Sequence, residues 1–264
     1  MRNTIINRRI LAFSCALVLL ITCLTACTPI AKVDDVSLLE FPGIKWGATP
    51  EEVKAALELT DKQIIADEQQ ITGEGSYQEE YETWNLFVSG LSFLGTKTVG
   101  AHFMFIRYPG HEFGLTRIQL YLPDDADMGE TKADMVKIYG EGSAKPSPNY
   151  SFRDGKLVAT EIDKTNAGNA YLHYWFSTVK GTDVLTAEVQ ERYVEYATSR
   201  NSTITRESAL EYLEKEPLVT VSCATKNIMA TLNEKSETPN QYITQNTVIF
   251  AANQLIHNLQ KYDN

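Results

Sequence analysis

Four histidines are the side chains of this sequence best suited to bind a metal: His102, His111, His173 and His257. His102 and His111 flank one Pro-Gly turn, so the two rings could approach each other across a hairpin. A zinc site needs at least three protein ligands, and neither a cysteine nor an HExxH motif accompanies this pair. We therefore expect no metal site, and we interpret His102 and His111 as exposed strand or turn residues.

The acidic run at residues 124–127 precedes Gly129 in a pattern that is similar to a calcium-binding loop. When Gly129 is placed at the sixth loop position, three positions that need oxygen ligands carry Ala126, Met128 and Met135. The sequence therefore excludes an EF-hand, and the aspartates are better explained as the cap of a following helix.

A second acidic group, Glu79, Glu80 and Glu82, offers the paired carboxylates that glycoside hydrolysis uses. A solvated acidic loop is the simpler interpretation, because a chain with 34 Asp and Glu residues forms such groups by chance. The sequence contains no GxSxG elbow, no GxxxxGK[ST] loop and no GxGxxG turn. We therefore predict no catalytic residue, no cofactor and no enzymatic activity.

The most aromatic stretch of the chain runs from Tyr171 to Phe176. In a strand, Tyr171, His173 and Trp175 share one face, and the intervening apolar residues share the other. One face must pack on the core, and the other either lies under a helix or forms a platform for a sugar ring or a partner. Tyr171, His173 and Trp175 are the candidate binding face.

The first 26 residues have the layout of a secretory leader. Residues 1–9 are basic, with Arg2, Arg8 and Arg9, and residues 10–24 are almost wholly apolar. About 15 apolar residues are too few for a comfortable membrane span, which needs roughly 20. The alternative is an ordinary core helix, but the segment shows no amphipathic stripe and opens with a cationic cluster.

The leader ends in Leu24-Thr25-Ala26-Cys27, which resembles the lipobox of bacterial lipoproteins. That resemblance implies that the Cys27 thiol accepts a diacylglyceryl group and that cleavage makes Cys27 the first residue. Two acyl chains anchor a protein stably where a single chain is marginal. We therefore expect a signal peptide at residues 1–26 and a lipid anchor with a tether at residues 27–40. The expected location is the cell membrane or outer membrane, outside the cytoplasm.

Cys223 is the single cysteine that remains after Cys15 and Cys23 leave with the leader and Cys27 is acylated. One thiol forms no internal disulfide. Cys223 alternates with Val219 and Val221, which favours a buried small apolar residue over a nucleophile.

Hydrophobic periodicity predicts an α+β fold for the mature chain. We predict helices at residues 50–59, 128–139 and 206–215, and strands at the following ranges: 84–88, 91–94, 99–108, 115–122, 150–153, 156–162, 170–178 and 184–196. Residues 217–233 fit either a strand or a helix, and their length favours a helix. A final helix is predicted to run from residue 238 to about 262.

The helix start WGATPEEV at residues 46–53 resembles the motif shared by BamE/SmpA-like outer-membrane-assembly lipoproteins and β-lactamase-inhibitor-protein-like domains. The resemblance extends over residues 41–122. It implies an antiparallel sheet built from αββ units, in a lipid-anchored, protein-binding domain. We therefore divide the mature chain into an α+β domain at residues 41–200, as a possible diverged duplication, and a helical C-terminal segment at residues 201–264.

The formal charge of the chain is −10, from 24 basic and 34 acidic residues. Such a surface repels phosphate backbones, so we expect no nucleic acid partner. The expected function is a lipid-anchored scaffold or protein-binding module that contacts another envelope protein. The alternative is a lipoprotein that binds a glycan or another small ligand.

Overall fold

The computed structural model of the chain describes residues 33–71, 81–161, 173–225 and 246–263. All of them belong to one compact unit, Lys32–Asn264. Its helices are α1 (Pro50–Ala56), α2 (Met128–Tyr139), α3 (Gly181–Val184), α4 (Ala187–Arg200), α5 (Arg206–Lys215) and α6 (Asn253–Lys261). Its longer strands are β1 (Ile64–Ile71), β2 (Glu82–Val88), β5 (Gly100–Arg107), β6 (Gly114–Leu122), β9 (His173–Phe176), β10 (Thr220–Ala224) and β11 (Asn246–Ala251). Two short hairpins complete the set, β3 (Ser92–Phe93) with β4 (Thr96–Lys97), and β7 (Asn149–Arg153) with β8 (Lys156–Thr160).

A seven-stranded antiparallel sheet in the order β1-β2-β5-β6-β11-β10-β9 organises the fold. Helices and antiparallel strands together make the protein an α+β fold, which confirms the sequence prediction.

The core face of the sheet consists of residues paired directly across its strands. One row joins Leu86, Phe103, Ile118, Phe250, Val221 and Trp175 from β2 to β9. A parallel row joins Val88, Ala101, Leu120, Val248, Cys223 and His173. Residues paired in this way share one face, so the buried side chains form two continuous stripes across six strands, and His173 is the one polar residue in them.

Helix α2 and the segment before α1 contribute to the same core. Met135 and Tyr139 of α2 are buried with the sheet residues, and the rings of Tyr139 and Phe250 lie 5.9 Å apart. Phe41 stacks on Phe93 and meets the edge of Phe250.

A second, smaller core lies between α4 and α5 and includes the C-terminal Tyr262. Val189, Tyr193 and Ala197 supply the α4 side of it, and Leu213 supplies part of the α5 side. The spacing of the α4 residues is the i, i+4, i+8 pattern of a helix with one buried face.

Both helix caps predicted from the sequence are confirmed. Thr49 and Glu52 form a reciprocal capping box at the start of α1, with the Thr49 amide donating to Glu52 at 2.8 Å. Asp127 caps α2 by accepting from the backbone amides of Gly129 and Glu130. The acidic run at residues 124–127 therefore ends in a helix cap, as expected.

The loop after α2 is fastened to strand β9. Gly140 ends α2, and its carbonyl accepts a 2.8 Å hydrogen bond from the Trp175 indole. Gly142 follows with φ +63°, and a Cβ at this position would lie 2.5 Å from the Tyr174 carbonyl oxygen. Glycine is therefore required here both by conformation and by close backbone approach.

The predicted strand at residues 184–196 is wrong, because this region forms α3 and α4. Thr186 caps α4 by accepting from the Val189 amide, and the buried residues that follow have helical spacing. The cap and this spacing outweigh the strand preference of the valines.

The helical prediction for the C-terminal segment fails at residues 220–224 and 246–251, which form β10 and β11. Both strands lie inside the sheet between β6 and β9 and are apolar on the buried face. The sheet therefore crosses the proposed boundary at residue 200. Residues 226–245 lie outside the described part of the chain, and the final helix begins at Asn253.

In the second half of the chain, the described strands are arranged differently from the αββ unit that was expected as a possible duplication. The strands β2, β5 and β6 join the large sheet, whereas β7 and β8 form a separate two-stranded sheet. Strand β1 was not predicted and lies at one edge of the large sheet.

The tether predicted at residues 27–40 is also corrected in its second half. Val33, Leu39 and Glu40 are buried. The Leu38 carbonyl accepts from the Trp46 indole at 2.9 Å, and the Glu40 carbonyl accepts from the Tyr139 hydroxyl at 2.8 Å. Residues 33–40 are therefore part of the folded body.

We predict that Trp175→Ala destabilises the protein by about 3–5 kcal/mol, because Trp175 is 1% exposed and its removal leaves a cavity in the core. Urea unfolding followed by circular dichroism measures this loss. Phe176→Ala is the matched control, since the neighbouring ring is partly exposed and should cost less. Equal stabilities for the two variants would contradict the core position of Trp175.

Candidate functional site

The candidate binding face from the sequence is not exposed. Trp175 lies in the sheet core, and His173 is 7% exposed, with its Nε2 hydrogen-bonded to the Glu141 carbonyl oxygen. Tyr171 lies outside the described residues. Tyr174, on the other face of the strand, is also buried. The prediction of a platform at His173 and Trp175 is therefore wrong, because these side chains fill the core next to β10.

The two hairpin histidines lie at different ends of their hairpin. His102 is near the start of β5 and stacks on Phe87 with centroids 4.1 Å apart, while His111 lies in the turn after β5. His102 Nε2 is 2.8 Å from Asn85 Oδ1. Within the ranges that the structure describes, no group of three His, Cys, Asp or Glu side chains is placed to hold a metal ion.

The other candidate side chains have structural roles where the structure describes them. Glu82 forms an ion pair with Arg107, and Glu79 and Glu80 lie outside the described residues.

Cys223 is fully buried, and burial raises the pKa of its thiol to about 11. A thiol with this pKa stays protonated at neutral pH, which is unfavourable for a nucleophile. Cys27, the predicted lipidation site, lies outside the described residues.

A cleft of about 440 Å³ lies between α4, α5, α6 and the β7–β8 hairpin, and we call it the aromatic cleft. Phe152 of the hairpin, Tyr193 of α4, Tyr212 of α5 and Tyr262 after α6 supply its rings. Its volume is within the range of about 300–1,000 Å³ that is typical of small-molecule sites.

The rings of the cleft contact one another in a chain. Tyr212 stacks on Tyr193 with centroids 6.1 Å apart and an interplanar angle of 17°, and Phe152 lies 5.9 Å from Tyr212. Tyr262 meets the edge of Tyr193 at 5.4 Å. Burial raises the pKa values of Tyr193 and Tyr212, so both hydroxyls stay protonated hydrogen-bond donors at neutral pH.

The remaining lining of the cleft is the polar face of α6: Asn253, Gln254, His257, Asn258 and Lys261. These positions recur at i, i+1, i+4, i+5 and i+8, which places them on one side of a helix. The other side carries Leu255 and Ile256, both buried in the main core. Helix α6 therefore joins the sheet to the cleft.

Hydrogen bonds fix α6 in place beside strands β5 and β6. The Thr116 hydroxyl donates to Asn253 Oδ1 at 2.8 Å, and the Tyr108 amide donates to the Gln260 side chain at 3.1 Å. The Tyr108 hydroxyl lies 2.8 Å from Nδ1 of His257. These contacts hold the polar face of the helix in a defined position toward the cleft.

Asn258 differs from its neighbours on this face. It is only 6% exposed, it lines the cleft, and its side-chain amide makes no hydrogen bond with any described residue. Its amide atoms are not among the buried polar atoms without a hydrogen bond in the described residues, so an amide without a protein partner here faces the open space of the cleft. Its position marks the part of the cleft where a polar ligand group would be held.

A second cavity, of about 490 Å³, lies at the end of β9 near residues 143–148 and 214–217. Two of its lysines are engaged in ion pairs, Lys180 with Glu214 and Lys215 with Glu211. Prolines and loop backbone form much of the rest of its lining. This cavity lacks the rigid aromatic walls and the unpartnered amide of the aromatic cleft.

Sequence reasoning missed the aromatic cleft because its rings come from four separate elements. One signal was present: the stretch from Asn253 to Lys261 contains four amides, a histidine and no carboxylate, in a chain with 34 acidic residues. A solvent-facing helix in such an acidic protein would be expected to carry some of those acids.

No known protein family, curated protein or solved structure matches this chain. Across the described ranges, no helix combines the length and the hydropathy that a membrane span requires.

We predict that His102 weakens the fold in mild acid. Burial and the nearby Arg117 lower its pKa from 6.5 to about 4. Between those two pH values the unfolded chain binds a proton that the folded chain does not, so the free energy of unfolding falls as the pH falls from about 6.5 to 4. His102→Gln can keep a donor to Asn85 but does not titrate. Its unfolding free energy should therefore decline less than that of the wild type between pH 7 and pH 4.5. Parallel stability curves in urea titrations at these pH values would contradict the prediction.

Proposed function

We propose that this chain is a lipid-anchored binding protein of the cell envelope, acylated at Cys27, that holds a small ligand in the aromatic cleft. The observation that carries the binding role is the unpartnered Asn258 amide inside a cleft walled by stacked rings. Convergent polar groups within an apolar concavity are the usual composition of a ligand site.

The proposed anchor is supported by the leader sequence and by the start of the folded body. The lipobox residues 24–27 follow a basic segment and an apolar segment in the order that lipoproteins use. Val33, six positions after Cys27 in the sequence, is packed in the main core. The proposed location is the outer side of a membrane.

A binding role rather than an enzymatic one is supported by the chemistry of the cleft. Its tyrosine hydroxyls have raised pKa values and therefore stay protonated at neutral pH. His102 and Cys223, whose pKa values are also shifted by burial, lie in the sheet and do not line the cleft. Stacked rings and amides bind and orient a ligand. The imidazole in the described lining, His257, already contacts the Tyr108 hydroxyl through its Nδ1 at 2.8 Å.

A protein partner in the envelope is the second candidate function, and one observation favours it. The face of the sheet opposite the core carries partly exposed Phe87, Met104, Ile249 and Phe176 beside polar residues. Apolar side chains in such a face are typical of contact surfaces. Exposed large apolar residues are few in the described part, namely Val36, Ile65 and Val99, which favours the cleft over a broad apolar patch.

Replacement of Cys27 by serine should abolish lipid attachment, because the thioether to the diacylglyceryl group requires the thiol sulfur. Cells fed a radiolabelled or alkyne-tagged fatty acid should label the wild type and not the variant. The variant should also leave the membrane fraction. Cys223→Ser is the matched control and should keep both the label and the membrane location. Continued labelling of the Cys27→Ser variant would contradict the proposed lipid anchor at Cys27.

Crosslinking in intact cells separates the two binding roles. If the cleft is the functional site, a photoreactive residue at position 253, on the exposed edge of the cleft, should not give a discrete protein adduct. If the sheet face is the functional site, the same probe at position 249 should give one adduct of defined mass. A discrete adduct at position 249 that persists in Tyr212→Ala would favour the protein partner over the small ligand.

A further inference from the structure

We propose that the aromatic cleft binds the ring of an uncharged saccharide, a proposal that rests on the ligand-binding role given above. The proposal deepens that role by naming a ligand class, and it follows from the rings, the amides and the charge of the cleft.

The aromatic walls suit a sugar ring. Tyr212 and Phe152 present rings at 5.9 Å and 36° to each other, and both are partly exposed. The face of an aromatic ring carries partial negative charge, which attracts the weakly positive C–H groups on the apolar face of a pyranose. Because Tyr193 stacks behind Tyr212 in the second core, the Tyr212 ring is held rigidly.

The polar face of α6 suits hydroxyl groups. An amide side chain offers both donors and an acceptor, and each sugar hydroxyl also donates and accepts. Asn253 is held through its Oδ1 by Thr116, so its NH₂ group remains available to a ligand. Asn258, which has no partner among the described residues, supplies both functions from inside the cleft.

The charge of the lining favours an uncharged ligand. Lys261 is the one charged residue among the described lining residues of the cleft. Its ammonium group lies 4.3 Å from the centroid of the Tyr196 ring and 3.3 Å from the Tyr196 hydroxyl. A cationic ligand would be repelled by Lys261, and no carboxylate in the described lining would compensate it. A phosphorylated ligand would find one cation in the described lining, Lys261, and its ammonium group already contacts the Tyr196 ring.

The β7–β8 hairpin positions Phe152 over the cleft. Its turn uses Asp154 and Gly155, both with positive φ, and a Cβ at Gly155 would lie 2.1 Å from the Thr203 carbonyl oxygen. Gly155→Ala must therefore move the hairpin away from the loop between α4 and α5. It changes the cleft wall without altering any lining residue.

Calorimetric titration of the full chain, purified in detergent, tests the ligand class. The probes are a panel of neutral mono- and disaccharides that includes cellobiose, maltose and N,N′-diacetylchitobiose, with glucuronate, glucose 6-phosphate, choline and adenosine as the charged and flat aromatic alternatives. We expect at least one neutral saccharide to bind and the alternatives to bind at least tenfold more weakly. A parallel co-sedimentation with insoluble peptidoglycan and cellulose distinguishes a polymer in the envelope from a free sugar.

Asn258→Leu is the decisive variant, because leucine has a similar volume and removes only the amide. An amide without a protein partner contributes nothing to the fold, so the unfolding midpoint should stay the same or rise. Affinity for the saccharide should fall at least tenfold, since its hydroxyl loses a buried partner. Tyr212→Ala and Gly155→Ala should also weaken binding, whereas Phe176→Ala, outside the cleft, should leave the affinity unchanged.

Three results would overturn the proposal that the cleft binds a saccharide. The first is that no neutral saccharide of the panel binds. The second is that the saccharide binds equally well to Asn258→Leu and Tyr212→Ala, which would place it elsewhere. The third is that a charged or flat aromatic probe binds more tightly and depends on Tyr212. This last result would contradict the saccharide as the ligand class but would still support a ligand-binding role for the cleft. If no probe of any class binds, both the saccharide and the ligand-binding role are contradicted.

Discussion

Direct cross-strand pairing of apolar side chains is the constraint on which the rest of the structure depends. The row from Leu86 to Trp175 crosses six strands, and its members come from segments far apart in the chain. Strand β11 occupies the middle of that row: Phe250 pairs with Ile118 on one side and with Val221 on the other. Without β11, the strands from the first half and those from the second half would each present an open edge. The C-terminal segment therefore closes the sheet rather than adding a separate helical part.

The position of the aromatic cleft follows from that closure. Strand β11 ends at Ala251, and α6 begins two residues later, so the sheet fixes where the helix starts. The Ala252 amide donates to the Thr116 carbonyl at 2.8 Å, and Leu255 and Ile256 are buried in the main core. With one face held on the sheet, the opposite face of α6 must point toward α4 and α5. A helix anchored in this way is a rigid support for polar groups, which is what a binding site needs in order to avoid ordering its own side chains on binding.

The local parts of this fold were predictable from sequence, and the non-local parts were not. Helices α2 and α5 lie at the predicted residues because a cap and a helical apolar pattern coincide there. Strand β11 was mistaken for helix because it is surrounded by other strands and is apolar over most of its length, which removes the alternation that reveals a strand. The aromatic cleft could not be predicted, since Phe152 and Tyr262 lie 110 positions apart and only packing brings them together. Within the aromatic stretch of the sequence, the described residues His173, Tyr174 and Trp175 are buried, so the aromatic density there indicates burial rather than a binding face.

Charge gives an independent argument that the α6 face is a site rather than ordinary surface. The other long helices place carboxylates on their surfaces: Glu188 and Glu191 on α4, for example, pair with Arg192 and Arg206. Helix α6 has none in nine residues, although the chain carries ten more acids than bases. A carboxylate on this face would lie beside the hydroxyls of Tyr193 and Tyr212, where burial already disfavours charge. The use of amides here keeps hydrogen-bonding capacity in a partly buried space without the desolvation cost of an ion.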